Sequence, residues 1–206
     1  MTRDHVSDIA FSPAVKAEQE RRGSRDGYQK MAERGDWSDT VSDDLAAFIA
    51  ERDSFYLATA NAEGQPYIQH RGGPKGFLRA VDERTLGLAD FGGNRQFISL
   101  GNLADNDKVC LFLMDYANQR RVKVWARARV VEDDPALIAR LADPAYEAAP
   151  ERALLFAIEA WDVNCPKHIT RRYTEADIAG AVWRLQGRIA ALEAEIEALR
   201  DGANGA

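Results

Sequence analysis

Cysteine is scarce in this chain. Cys110 and Cys165 are the two it has, too few for a disulfide framework, and a reducing cytoplasm is the expectation. Long apolar runs are missing as well. Val109 to Met114 is typical of the longest, so no segment is expected to cross a bilayer as a helix. The opening Met1-Thr2-Arg3-Asp4-His5 leads into no apolar signal core, which argues against export. Positive charge is in deficit, with 27 Lys and Arg against 33 Asp and Glu, a net −6 and a pI near 5.2. Binding of nucleic acid through bulk basicity is thereby disfavoured, since phosphate neutralisation needs clustered cations. Seven Pro and 15 Gly exclude a collagen-like or low-complexity chain. What is present is an ordinary globular balance, 46% hydrophobic and 29% charged over 206 residues, enough to bury a sizeable core.

Periodicity divides the chain into three zones, residues 1–53, 54–172 and 173–206. Residues 13 to about 51 read as helical. Pro13 suits a first helical turn, and Ser42-Asp43-Asp44 opens a second helix with a capping hydroxyl and two acids at its positive end. Leu45, Phe48 and Ile49 give that helix one apolar face. From Phe55 the pattern changes to short strands and tight turns. Phe55–Ala60 and Pro66–Arg71 flank the turn Asn61-Ala62-Glu63-Gly64, and Gly76–Val81 and Thr85–Ala89 flank Asp82-Glu83-Arg84. Val109–Met114, Arg121–Val131 and Ala153–Trp161 follow, with a helix expected from about Asn94. An antiparallel barrel is the predicted architecture. Cys110 reads as part of its core.

From Thr174 a long helix carries Ile178, Val182, Leu185, Ile189, Leu192, Ile196 and Leu199, spaced alternately four and three. Val182, Ile189 and Ile196 then occupy position a of a heptad and Leu185, Leu192 and Leu199 position d, the pattern of a parallel two-stranded coil. Arg188 would face Glu193, and Glu195 would face Arg200, across the pair. A helix packed on its own barrel is the alternative.

Four clusters could carry chemistry. On the strand Arg121–Arg129, Arg121, Lys123, Trp125, Arg127 and Arg129 share one face and the other is apolar. That face is either solvated or, through its first residues, part of an anion site. Gly92-Gly93-Asn94-Arg95-Gln96 reads as a strand-to-helix turn with Asn94 as N-cap and free amides for an anion, or as a plain capped helix. His70-Arg71-Gly72-Gly73-Pro74-Lys75 sets cations beside a glycine pair, but matches neither the Walker nor the dinucleotide pattern. In Trp161-Asp162-Val163-Asn164-Cys165-Pro166-Lys167-His168, one Cys and one His without a partner cluster make a weak metal site, and none is predicted.

In this order the features resemble the pyridoxamine 5′-phosphate oxidase-like family of FMN-binding split barrels. The resemblance is carried by Gly64-Gln65-Pro66-Tyr67, Gly93-Asn94-Arg95-Gln96, Asn106-Asp107-Lys108-Val109, Arg120-Arg121-Val122-Lys123-Val124 and Ile158-Glu159-Ala160-Trp161, and spans about half the chain. It implies an α+β fold, a split antiparallel barrel with N-terminal helices and a long C-terminal helix, and a homodimer holding FMN at the subunit interface. The cofactor-binding residues it implies are Arg71, Lys75, Ala89, Asp90, Asn94, Arg95, Gln96, Arg121 (from the neighbouring subunit), Trp161 and Arg171. Gln96 stands where the family has a Lys, one phosphate charge fewer. Two departures point away from pyridoxamine phosphate as substrate: the insertion between the last strands shrinks to 143–152, and a closing Arg-Leu-x-His pattern gives way to Asn164–His168.

The resulting expectation is an FMN-dependent oxidoreductase, passing a hydride or electron pair between a reductant such as NAD(P)H and an unidentified small molecule. Lys167 and His168 are the candidate catalytic residues. A non-catalytic flavin or tetrapyrrole binder (a stress sensor or carrier) is the alternative, and a structural protein recruiting a partner through the coil is a third. Neither nucleic acid nor membrane is an expected partner.

Overall fold

The computed structural model describes residues 3–163 and 165–204, the last four as backbone only. Asn164 lies outside the described residues. Two compact units result: the described residues through Asp115 with Arg120–Lys167, and Tyr116–Gln119 with the described residues from His168 onward.

In the first unit a 3₁₀ turn, Val6–Ile9, precedes three helices, α1 (Pro13–Arg21), α2 (Arg25–Arg34) and α3 (Asp43–Ala50). The helix starts predicted at Pro13 and Ser42 are both present. Pro13 opens α1 after Ser12, whose side chain accepts from Val15 N at 3.3 Å, and Ser42 Oγ accepts from Leu45 N at 3.2 Å to start α3. Leu45, Phe48 and Ile49 are the buried residues of α3, as their spacing requires.

The sheet has seven strands, β1 (Ser54–Ala60), β2 (Pro66–Gly72), β3 (Arg79–Asp82), β4 (Thr85–Phe91), β5 (Lys108–Asp115), β6 (Arg120–Val131) and β7 (Pro150–Val163). All neighbours are antiparallel, in the order β2-β1-β5-β6-β7-β4-β3. The β1–β2 turn is built by Asn61, whose Oδ1 accepts from Glu63 N and Gln65 N at 3.1 and 2.9 Å. Gly64 supplies the positive φ of 86° that the turn needs.

Strand alternation selects the core. On β5, Val109, Leu111 and Leu113 point inward, and on β6 Val122, Val124, Ala126 and Ala128 do the same. They pack with Phe55, Leu57, Leu154 and Phe156. Each of the Val, Leu and Phe side chains stabilises the fold by about 1.5–3 kcal/mol on burial. A second cluster, Ala89, Val131, Leu141, Ala153 and Leu155, lies under α5 (Pro135–Leu141), so β4 is buried along most of its length. The close packing there requires Gly87, where a Cβ would fall 2.8 Å from Val81 Cγ2 and 2.9 Å from Leu155 Cδ2.

Three expectations are corrected. Cys110 is half-buried on the outer sheet face rather than in the core, because the inward positions of β5 are its odd-numbered neighbours; burial nonetheless pushes its thiol pKa up. The strand expected from Gly76 begins at Arg79. Before it Phe77 N donates to Pro74 O at 3.0 Å and Gly76 has a φ of 75°, so the segment is a turn. The helix expected from Asn94 begins at Ile98, as α4 (Ile98–Asp105), after a left-handed residue at Phe97.

The outer face of β6 is half-buried from Arg121 to Trp125 and open at Arg127 and Arg129. Trp125 stacks on Trp37 at 4.8 Å between ring centroids, Trp37 meets Phe11 at 5.2 Å, and Phe11 meets Tyr28 at 5.2 Å. The N-terminal segment is thus held to the sheet by an aromatic ladder. Arg127 pairs with Asp107 at 2.8 Å and with Glu159 at 3.4 Å.

In the second unit, Gln119 Nε2 donates to Ile169 O at 2.6 Å, and Arg171 Nε donates to Gln119 Oε1 at 3.0 Å. Helix α6 (Glu175–Asn204) follows, with Thr174 and Asp177 exchanging hydrogen bonds at its start. Its seven seam residues are all exposed, from 38% at Leu192 to 68% at Leu199. No described helix is long and apolar enough to cross a membrane.

Candidate functional site

The sheet curls so that strands distant in its order meet. β2 stands at one end and β4 second from the other, yet Arg71 Nη1 of β2 donates to Asp90 Oδ1 of β4. This ion pair bridges a seam where no ladder forms. The seam opens into a cleft of about 300 Å³. It is lined by β2 (Tyr67, Gln69, Arg71), the end of β4 (Asp90, Phe91), residues 93–97, the first turn of α4, and Glu151 and Arg152 at the start of β7.

Period-two alternation explains the β2 wall: Tyr67, Gln69 and Arg71 share the half-buried face, while Ile68 and His70 are exposed on the other. Gln69 Oε1 accepts from the buried Ser99 Oγ at 2.7 Å, which ties the strand to α4. One layer deeper, Asn102 Nδ2 donates to Thr59 Oγ1 at 2.9 Å, fixing α4 to β1.

The loop before α4 departs from the expected capped helix. Asn94 Oδ1 accepts from Gln96 N at 3.2 Å and closes a local turn instead of capping α4. Arg95 and Phe97 then take left-handed conformations, φ 60° and 54°, which a helix cannot contain. Phe97 becomes the N-cap and has no side-chain oxygen to offer. The amides of Ile98, Ser99 and Leu100 therefore begin α4 without a side-chain cap, at a cleft those three residues line. Uncapped first-turn amides with the positive end of the helix dipole favour an anion. Left-handed non-glycine residues cost free energy, and two within three residues is a concentration of strain met at binding sites.

Charge converges on the same place. Asp90, 5% exposed, accepts from Arg71 on one oxygen and from Arg152 Nη1 at 3.2 Å on the other. Arg152 also donates to Glu132 at 2.9 Å and to Glu151 at 2.7 Å. Burial works against its charge, but the carboxylates of Glu132, Asp90 and Glu151 more than offset it and raise its pKa. The guanidinium carbons of Arg95 and Arg152 lie 5.9 and 6.0 Å from the Phe97 ring centroid. Arg71 Nε is buried and has no hydrogen-bond partner. A phosphate-bearing ligand fits this donor set: an orphaned guanidinium N–H, a second exposed guanidinium and an uncapped helix start.

Of the residues implied by resemblance, Arg71, Asp90, Asn94, Arg95 and Gln96 come together in the cleft. Ala89 is buried in the cluster under α5. Lys75 sits in the β2–β3 loop, exposed and 3.4 Å from Glu51, and does not line the cleft. Arg121 lies on β6 opposite Met114, its Nε also buried without a partner. Trp161 packs against the core and donates from Nε1 to Thr40 O at 2.7 Å. No part of the Arg121–Arg129 face lines the cleft. Lys167 is exposed; His168, in the second unit with Arg171, is exposed with a φ of 65°. Among described residues no group of three His, Cys, Asp or Glu is disposed to hold a metal.

Sequence reasoning missed Tyr67, Gln69 and Arg152. The first two share the face of Arg71 and were available from alternation alone. Arg152 belongs to no motif. Only the β4–β7 register, which sets it opposite Asp90, reveals it.

The family model for pyridoxamine 5′-phosphate oxidase matches residues 41–172. None of the curated proteins matches the sequence. Among solved structures, HupZ of Group A Streptococcus superposes with a TM-score of 0.50 at 16% identity, over 65% of this chain and 99% of that one. An FMN-binding protein of Syntrophomonas wolfei gives 0.47 at 14%, over 71% and 97%. The haem storage protein HutZ of Vibrio cholerae gives 0.39 at 17%, over 58% and 92%. At these identities the HupZ likeness is one of fold.

Proposed function

We propose that this chain, which belongs to the pyridoxamine 5′-phosphate oxidase family, binds FMN in the seam cleft and acts as an FMN-dependent oxidoreductase. The observation that carries the reading is the buried, unpartnered Arg71 Nε beside the uncapped start of α4. Arg71, Arg95 and the amides of α4 would hold the phosphate, with Asn94 and Gln96 flanking it, while Tyr67, Gln69 and Asp90 would stand along the ring system. Bound flavin supplies transfer of a hydride or electron pair between a reductant such as NAD(P)H and a small-molecule substrate. The chain's own residues bind and orient it and set the polarity around it. Lys75, Ala89, Trp161 and Arg171 enter as cofactor residues from the family resemblance alone, and Lys167 and His168 as catalytic candidates because they follow Trp161 in the chain. The closing Asn164–His168 segment argues for a substrate other than pyridoxamine phosphate.

The working unit is a homodimer, with Arg121 reaching the flavin from the neighbouring subunit. Support comes from α6, whose exposed seam of Val182, Leu185, Ile189, Leu192, Ile196 and Leu199 has the β-branched a and Leu d pattern of a parallel pair. A cytoplasmic site of action is part of the proposal and is consistent with Cys110 and Cys165 being free. The alternative is a flavin or tetrapyrrole carrier or sensor. Flavin is favoured over haem because, among described residues, Tyr67 is the single axial-ligand type in the lining.

Titration of the purified chain with FMN, read by quenching of flavin fluorescence, tests the reading. Saturable binding together with FMN-dependent oxidation of NAD(P)H by a dye acceptor supports it. Binding without turnover transfers support to a flavin carrier, and no binding overturns every flavin reading and leaves the tetrapyrrole carrier.

A further inference from the structure

One of the three cations that give the cleft its net positive charge is marked by no motif. Its charged lining residues are Arg71, Arg95 and Arg152 against Asp90 and Glu151. Without Arg152 the balance is two against two, neutral; with it the lining carries one net positive charge. A phosphate dianion is held by an excess of cation, and Arg152 is one of the three residues that supply it; what sets it apart is how its donors are held.

Its geometry suits that role. Arg152 is 12% exposed at its side chain, set in the β4–β7 ladder opposite Asp90, and shares the Phe97 ring with Arg95. The Asp90 contact anchors Nη1 deep in the seam. Nη2 is held by Glu151, whose side chain is 43% exposed, and Nε by Glu132, 65% exposed. Carboxylates so open to water bind a guanidinium weakly, because solvent screens the attraction. A phosphate at the α4 start competes with Glu151 for Nη2 while Asp90 keeps the arginine in place.

We propose that Arg152 is the phosphate-selecting residue of this cleft, donating Nη2 to a phosphate oxygen of the bound flavin and conferring preference for FMN over riboflavin. The inference rests on the FMN reading above and adds to it a residue outside the recognised pattern. It also assigns Glu151 as the internal competitor for that donor.

The test compares dissociation constants for FMN and riboflavin, two ligands with the same ring system, in the full chain and its variants. Arg152→Gln is expected to weaken FMN about 10- to 100-fold, the range for losing a charged hydrogen bond, and to leave riboflavin within about threefold. Arg152→Lys recovers part of the FMN affinity. Should Arg152→Gln fail to fold, Glu151→Gln remains informative: it frees Nη2 and removes a negative charge, so the FMN-to-riboflavin preference rises. Equal losses for both ligands, or an unchanged preference in Glu151→Gln, overturn the assignment while sparing the FMN reading. A wild-type chain that binds neither ligand overturns the FMN reading itself, and this one with it.

Discussion

Replacing Asp90 with Asn tests whether the seam is held by charge. Asp90 is 5% exposed and bridges two guanidinia whose side chains are 14% and 12% exposed. The substitution keeps the shape but leaves Arg71 buried without a counter-charge. Breaking a buried pair from one side costs about 3–5 kcal/mol, because the remaining charge stays desolvated. Arg152 keeps Glu132 and Glu151, so the lower end applies, about 3 kcal/mol. For a unit of this size that is a fall of about 6–12 °C in the thermal midpoint, read by circular dichroism. Asp107→Asn is the comparator, since Asp107 and Arg127 are 45% and 46% exposed and their pair is expected to contribute under about 1 kcal/mol. An Asp90→Asn midpoint within about 2 °C of wild type, equivalent to less than 1 kcal/mol, would refute the argument.

Three further outcomes are expected. Arg95→Ala leaves the fold intact, since Arg95 is exposed, and weakens FMN about 10- to 100-fold by loss of a charged donor; unchanged flavin occupancy would contradict the phosphate assignment. Burial raises the Asp162 pKa above its ordinary 3.8, only partly opposed by the Lys123 charge and a backbone hydrogen bond at Val163, so the native state holds this proton more tightly than the unfolded chain does and stability declines as pH rises above that value. Asp162→Asn therefore raises the melting temperature at pH 7, and the gain shrinks towards pH 4; melts that show no pH-dependent difference would count against it. In a Cys165→Ser background, Leu199→Cys oxidises to a cross-linked dimer if the α6 helices pair in parallel, because position d meets its own copy. No cross-link, with a dimer still present by light scattering, would show that the helices pair otherwise or not at all.

Local features were the legible ones. Ser42 and Pro13 announce their helices because a cap and a first turn depend on residues within three positions. The inward face of β6 follows from alternation, which needs no knowledge of the partner strand. Asn94 misled because the side chain that caps a helix also closes a turn, and the left-handed backbone at Arg95 and Phe97 decided between them. The cationic face of β6 was visible, but its distance from the cleft was not, since that depends on where the sheet leaves its seam. Arg152 was illegible for the same reason: it meets Asp90 across 62 positions, in a register set by the whole sheet.

The central claim is that the seam cleft holds FMN. The most direct measurement is the visible absorption spectrum of the purified protein, with chromatography of whatever heat releases after reconstitution with FMN. The account predicts a flavin spectrum and release of FMN from wild type, with occupancy lost in Arg95→Ala. A colourless wild-type protein that takes up no added FMN, or one that releases a tetrapyrrole instead, would contradict it.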